Sequence, residues 1–150
     1  MSGPTNLNGT IWCSRAAVRV MMRARKGRIV NLSSHFGSLG SRNRAAYAAS
    51  KSGVESFVRV LASELGPDGI TVNAYAPGMI PTEMNHFAER EPEVQERLLD
   101  TLSLRRWGDP RDVANLIVFL ASDQAAYITG ALIDVSGGKF ATQMPWMAYR

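Results

Sequence analysis

Apolar positions in this chain fall into two kinds of run. Short unbroken runs are bounded by glycine, proline or serine, and longer ones recur every three to four residues. The short runs are Gly27–Leu32, Ile70–Ala74 and Ala131–Val135. None alternates cleanly, which predicts strands covered on both faces. The longer runs predict helices over Pro4–Ala24, Ala46–Leu65 and Pro110–Ala121. Ser2 is placed to cap the first, with Pro4 near its first turn, and Gly66-Pro67 closes the second. Asp109 reads as the N-cap of the third, with Pro110 at N1 and Asp112 at N3. A glycine-bearing loop is expected after Ser33-Ser34 through Arg44, and one or two mobile helices within the polar residues 83–101. Strands alternating with helices imply right-handed crossovers and a parallel sheet. Ligands of such sheets gather at the carboxyl ends of the strands, where Ser34, Pro77-Gly78 and Gly137-Gly138 fall.

Composition narrows the class without changing this picture. The 150 residues suffice for one domain with a real core, and 45% apolar with 20% charged residues is ordinary for a soluble α/β chain. Cys13 is the single cysteine, which excludes an internal disulfide and fits a reducing compartment; its apolar helical setting predicts packing. The amino-terminal residues show no secretory pattern, and the longest apolar run, Leu116–Ala121, is too short to span a bilayer. A cytoplasmic location with no membrane partner is therefore expected. The net charge is +4, and Arg15, Arg19 and Arg23 recur on one helix face. Without interleaved aromatics or a reading module this predicts a solvated face and no nucleic-acid partner.

The candidate chemistry begins with Tyr47 and Lys51, four residues apart at the start of a predicted helix. Positions i and i+4 share a helix face. A lysine ammonium there favours the phenolate of a group whose pKa is about 10 when unperturbed. That pairing suits proton exchange with an alcohol or carbonyl oxygen. Either Ser33 or Ser34, ending the Gly27–Leu32 strand, could hold that oxygen, although each is also an ordinary turn serine. His35 reads as a loop residue that could line the pocket, and His86 has no evident partner. No set of residues has metal-ligand spacing, so no metal is expected.

Six segments then occur in order: Asn6–Thr10, Gly27–Ser34, Tyr47–Lys51, Ile70–Asn73, Ala76–Gly78 and Ala126–Gly130. Together they resemble the short-chain dehydrogenase/reductase family, in particular its 3-oxoacyl-carrier-protein reductase type, from Asn6 to about Gly138. The resemblance implies an α/β fold, the carboxyl-terminal part of a doubly wound Rossmann-type parallel sheet. It also implies an NAD(P)-dependent oxidoreductase interconverting a secondary alcohol and a ketone. Tyr47 would be the acid/base, and Lys51 would support it and hold the nicotinamide ribose. Ser34, chosen by its spacing from Tyr47, would orient the substrate oxygen, and Asn6 would hold a relay water. Pro77, Gly78, Ile80 and Thr82 would meet the nicotinamide end of NAD or NADP, Ile80 through a backbone amide and Thr82 through its hydroxyl. Residues 83–101 would form a substrate lid; Met79, Met84, Phe87 and Trp107 suggest an apolar lining, although each is equally suited to the core. Asn73 and Asp134 would brace loops. The apolar tail Gln143–Met147 would dock on a neighbouring subunit of a homo-oligomer, a dimer or tetramer.

The family's glycine-rich strand-to-helix turn is not found in the sequence; Gly37-Ser38-Leu39-Gly40 follows the wrong strand. Residues 1–150 are thus expected to be a single partial NAD(P)-binding domain without its glycine-rich half. About 100 residues would be missing at roughly 30 per βαβ unit. The expected consequences are an open edge on the Gly27–Leu32 strand and weak or no NAD(P)H binding by these residues alone. The alternative function is a non-catalytic fragment that associates with full-length subunits. A nucleotide-sugar epimerase or dehydratase shares Tyr-x-x-x-Lys but fits the Tyr127–Gly138 ending less well.

Overall fold

The computed structural model describes residues 3–39, 42–83 and 85–141. The expected cap at Ser2, as well as Gly40, Met84 and the tail from Gln143 onward, lies outside them. Helix α1 covers Gly3–Ala24, strand β1 Gly27–Leu32, helix α3 Ala45–Leu65, strand β2 Ile70–Pro77, helix α5 Pro110–Ala121 and strand β3 Leu132–Val135. Two shorter helices, α2 (His35–Ser38) and α4 (Pro92–Leu99), complete the α-helical set. The sheet is parallel with order β1-β2-β3.

Register follows from the apolar residues that share a face. Ile70, Val72 and Ala74 alternate along β2 and are buried with Ile29 against Val54, Val58, Ala62 and Leu65 of α3. Leu7, Val18 and Met21 bring α1 against the same cluster. Burying each valine fully contributes roughly 1.5–3 kcal/mol, so this face anchors α3, the helix that carries Tyr47 and Lys51. Strand β2 runs to Pro77, past the expected end at Ala74. Its extension pairs with β3, from Ala74 opposite Leu132 to Pro77 opposite Val135. Among the described residues β1 pairs only with β2, so its far edge carries no ladder.

Two expectations are corrected. The stretch after Ser34 is not simply a loop: Ser34 Oγ accepts from the Phe36 amide at 3.3 Å and caps the single turn α2. Cys13 is exposed rather than packed. The inner side of α1 is set by Leu7, Val18 and Met21, together with the buried Ser14, and Cys13 faces away beside exposed Trp12. Arg15, Arg19 and Arg23 are solvent-exposed, as expected. The capping box at Asp109 and Asp112 forms as its sequence indicates.

Residues 83–101 contain a 3-10 turn, Phe87–Glu89, and α4. Among the described residues, no helix is long and apolar enough to cross a membrane, and no group of three or more His, Cys, Asp or Glu could hold a metal ion.

Candidate active site

Three elements converge at the carboxyl end of β1. Strand β1 ends at Leu32, leading directly into Ser33 and Ser34; α3 brings Tyr47 and Lys51; α1 brings Asn6. Lys51 is buried, and its Nζ donates to the Leu32 carbonyl oxygen at 2.9 Å. The same ammonium lies 5.8 Å from the centre of the Tyr47 ring. Burial pulls the Lys51 ammonium below the ordinary lysine range. An ammonium has three donors, and this one spends a single donor on protein among the described residues. Two donors of a buried cation are thus left beside the tyrosine, a set that a sugar diol can accept.

The two serines separate cleanly. Ser33 Oγ donates to Glu55 Oε1 at 2.7 Å inside the protein, and the Ser33 amide donates to the Tyr75 carbonyl at 2.8 Å. Its hydroxyl is therefore committed. Among the described residues Ser34 Oγ only accepts, from the Phe36 amide, and its hydroxyl proton has no acceptor there. Phe36 packs edge-on to Tyr47 with ring centres 6.3 Å apart.

Asn6 joins this group through α3. Its Nδ2 donates to Ser50 Oγ at 3.3 Å, and Ser50 Oγ donates to the Tyr47 carbonyl at 2.7 Å. Among the described residues no direct bond joins Asn6 to Lys51.

The loop after β2 is folded by bonds that sequence reasoning missed. Asn85 Nδ2 donates to the Ile80 carbonyl at 2.7 Å, and Asn85 Oδ1 accepts from the Thr82 amide at 3.1 Å. The Gly78 amide donates to Val135, and the Gly108 amide to Met79. A Cβ at Gly78 would come within 2.6 Å of the Ser136 backbone, so the close approach of the two strand ends requires glycine there. Thr82 is exposed and Ile80 half-buried.

A cavity of about 300 Å³ opens beside this loop, between Met79, Ile80, Leu104, Arg106 and Val135–Gly138. Ser34, Tyr47 and Lys51 do not line it; the convergence of polar groups, not the cavity, marks the candidate site. Asp134 is exposed and lines the cavity, whereas Asn73 does brace a loop, by bonds to Ile128 and Ala131. Phe87 and Trp107, expected as pocket lining, stack on one another at 5.8 Å, and Arg90 covers Phe87.

His35 opens α2 rather than lying in a loop, and it is buried. Its Nδ1 faces the Pro77 carbonyl at 3.3 Å, while Nε2 has no partner among the described residues. Burial lowers its pKa from the ordinary value; the Pro77 carbonyl and Asp134 oppose that, and Lys139 adds to it.

Three parallel strands with flanking helices, and candidate polar residues gathered at a strand end, make a partial Rossmann-type fold. A family model described as Enoyl-(Acyl carrier protein) reductase matches residues 4–139. The chain is 48% identical over 137 residues to the 3-oxoacyl-[acyl-carrier-protein] reductase of Pseudomonas aeruginosa, covering 91% of this chain and 54% of that protein. It is 42% identical over 136 residues to the same-named protein of Vibrio cholerae, covering 91% and 55%. A solved short-chain alcohol dehydrogenase of Sinorhizobium meliloti superposes with a TM-score of 0.85 at 42% identity, over 91% of this chain and 54% of that one. ElxO, solved with NADP bound, gives 0.83 at 31% identity, over 91% and 56%. The chain belongs to the short-chain dehydrogenase/reductase family, and within it is similar to the 3-oxoacyl-carrier-protein reductase type. It spans about half the length of the curated relatives it matches.

Proposed function

We propose that these residues supply the acid/base centre of an NAD(P)-dependent oxidoreductase that interconverts a secondary alcohol and a ketone. The observation carrying this reading is the buried Lys51 ammonium, bonded to the end of β1 and 5.8 Å from the Tyr47 ring. In reduction, Tyr47 gives its phenolic proton to the carbonyl oxygen, and the positive charge of Lys51 offsets the negative charge left on the phenol. Ser34 donates its hydroxyl to the same substrate oxygen. The remaining Lys51 donors hold the ribose hydroxyls of the cofactor, and Asn6 steadies α3 through Ser50 and holds the relay water. Pro77, Gly78, Ile80 and Thr82 form the wall at the nicotinamide end. The nicotinamide supplies or accepts the hydride when bound. NAD and NADP are both compatible with these residues, and an NADP-bound structural neighbour supports a cofactor of this class.

We extend the reading to the domain and its partners. Residues 1–150 form a partial nucleotide-binding domain, in which the diphosphate end of the cofactor falls to residues outside this sequence. The substrate is a small 3-oxo compound or the matching alcohol, by analogy with the named relatives. Exposed Trp12 and Val20 on α1 and Val60 on α3 offer apolar surface for a homo-oligomer.

The test is hydride transfer followed at the nicotinamide absorbance with a 3-oxoacyl thioester at high cofactor concentration. Turnover in wild type, lost in Tyr47→Phe by roughly 10²–10⁴-fold, supports the reading. Equal rates in the two proteins would sink it.

A further inference from the structure

Glu55 is a buried carboxylate that the proposed chemistry does not use. It lies on α3 one turn beyond Lys51 and two beyond Tyr47, on the same side of the helix. Its two partners straddle Ser34 in the chain. Ser33 Oγ donates to Oε1 at 2.7 Å, and Ser38 Oγ donates to Oε2 at 3.2 Å. A third bond follows the same path, from Ser52 Oγ to the Gly37 carbonyl at 2.5 Å. The approach is close enough that a Cβ at Gly37 would strike Glu55 Oε1. Residues on both sides of Ser34 are therefore tied to the helix that carries Tyr47 and Lys51. A carboxylate suits this place, because its oxygens accept from both serine hydroxyls.

We propose that Glu55 is a positioning residue, which fixes Ser34 against Tyr47 by holding Ser33 and Ser38 to α3; this rests on the role given to Ser34 above. The relation between serine and tyrosine is then set by one side chain on the tyrosine's own helix. Loss of that side chain leaves two hydroxyls without their acceptor and frees the turn between them. A displacement of an orienting group by an ångström can cost a large factor in rate.

The experiment compares wild type, Glu55→Ala, Glu55→Gln and Asn73→Ala. Asn73 lies on β2 away from these residues and serves as a control for lost stability. Glu55→Ala is expected to lower kcat roughly ten- to a hundredfold, with KM for the cofactor unchanged. Amide exchange should accelerate at residues 33–38 while β2 stays protected. Glu55→Gln keeps one acceptor oxygen for Ser33 and should recover part of the rate. Asn73→Ala, assayed below its melting transition, should keep the wild-type kcat. Wild-type kcat in Glu55→Ala, or accelerated exchange spread equally through β2, overturns the proposal. Absence of turnover in wild type would refute the proposed function instead. Exchange at residues 33–38 would then decide the Glu55 anchor alone: faster exchange upholds it and unchanged exchange overturns it.

Discussion

Lys51 Nζ sits 2.9 Å from the carbonyl oxygen of Leu32, the last residue of β1. One bond thus fixes a buried cation from α3 to the end of a strand. Among the described residues it donates only this bond, which leaves capacity for a ligand beside Tyr47. Lys51→Met keeps much of the side chain's bulk and removes the charge. It should weaken cofactor binding and lower turnover together, whereas Tyr47→Phe should lower turnover and leave binding intact. Fluorescence titration with NADPH alongside steady-state rates checks the difference. Equal cofactor affinity in wild type and Lys51→Met would remove the ribose contact.

Gly78 carries a prediction about the wall beside the cofactor. An added Cβ would meet Ser136 Cα and O at 2.6 Å, both backbone atoms that cannot swing aside. Gly78→Ala must therefore part the ends of β2 and β3. The expected result is a lower melting temperature, by about 1–3 kcal/mol of stability, with further weakening of NADPH binding. Unchanged melting would mean that the two strand ends separate freely.

The strands, the long helices and the juxtaposition of Tyr47 with Lys51 were legible in the sequence because each depends on local spacing. Tyr47 and Lys51 are one helical turn apart, and the Asp109 capping box is written within four residues. What escaped depends on contacts between distant segments. Glu55 lay in plain view at the next turn after Lys51, yet its partners Ser33 and Ser38 come from another element. The same is true of Asn6, whose partner Ser50 is 44 residues away. Cys13 was misjudged because apolar neighbours mark a helix but not which of its sides meets the sheet. The resemblance picks Ser34 by its spacing from Tyr47, but the bond that commits Ser33 to Glu55 spans two elements and is not written in that spacing.

Asn73 shows how a buried polar side chain can serve the fold rather than the chemistry. It is almost fully buried on the central strand; Nδ2 donates to the Ile128 carbonyl at 2.8 Å, and Oδ1 accepts from the Ala131 amide at 3.1 Å. These bonds splice the chain just before β3 onto β2, beside the Val72–Gly130 and Val72–Thr129 bonds. Asn73→Ala leaves a carbonyl and an amide without partners, at about 1–3 kcal/mol each. Urea denaturation should show a lower midpoint with an unchanged slope. A midpoint equal to wild type would mean that water replaces both bonds.

His35 gives the pH dependence of stability a defined sign. The Pro77 carbonyl can only accept, so Nδ1 carries the proton of the neutral ring and Nε2 is a buried bare acceptor. Protonating Nε2 would place a charge in a buried site near Lys139, against a weaker opposing pull from Asp134. Burial, the largest cause, lowers the folded pKa below the ordinary 6.5. The unfolded chain therefore binds the proton first as pH falls. Stability from this group is complete above the unfolded value and is lost as pH drops through it toward the folded one. His35→Asn retains a donor for Pro77 and removes the titration. Denaturation midpoints measured at about pH 7.5 and about pH 5.5 should fall further in wild type than in His35→Asn. Every other group is common to the two proteins and cancels in that comparison. Parallel curves would mean that the ring gains a partner on protonation that offsets its burial.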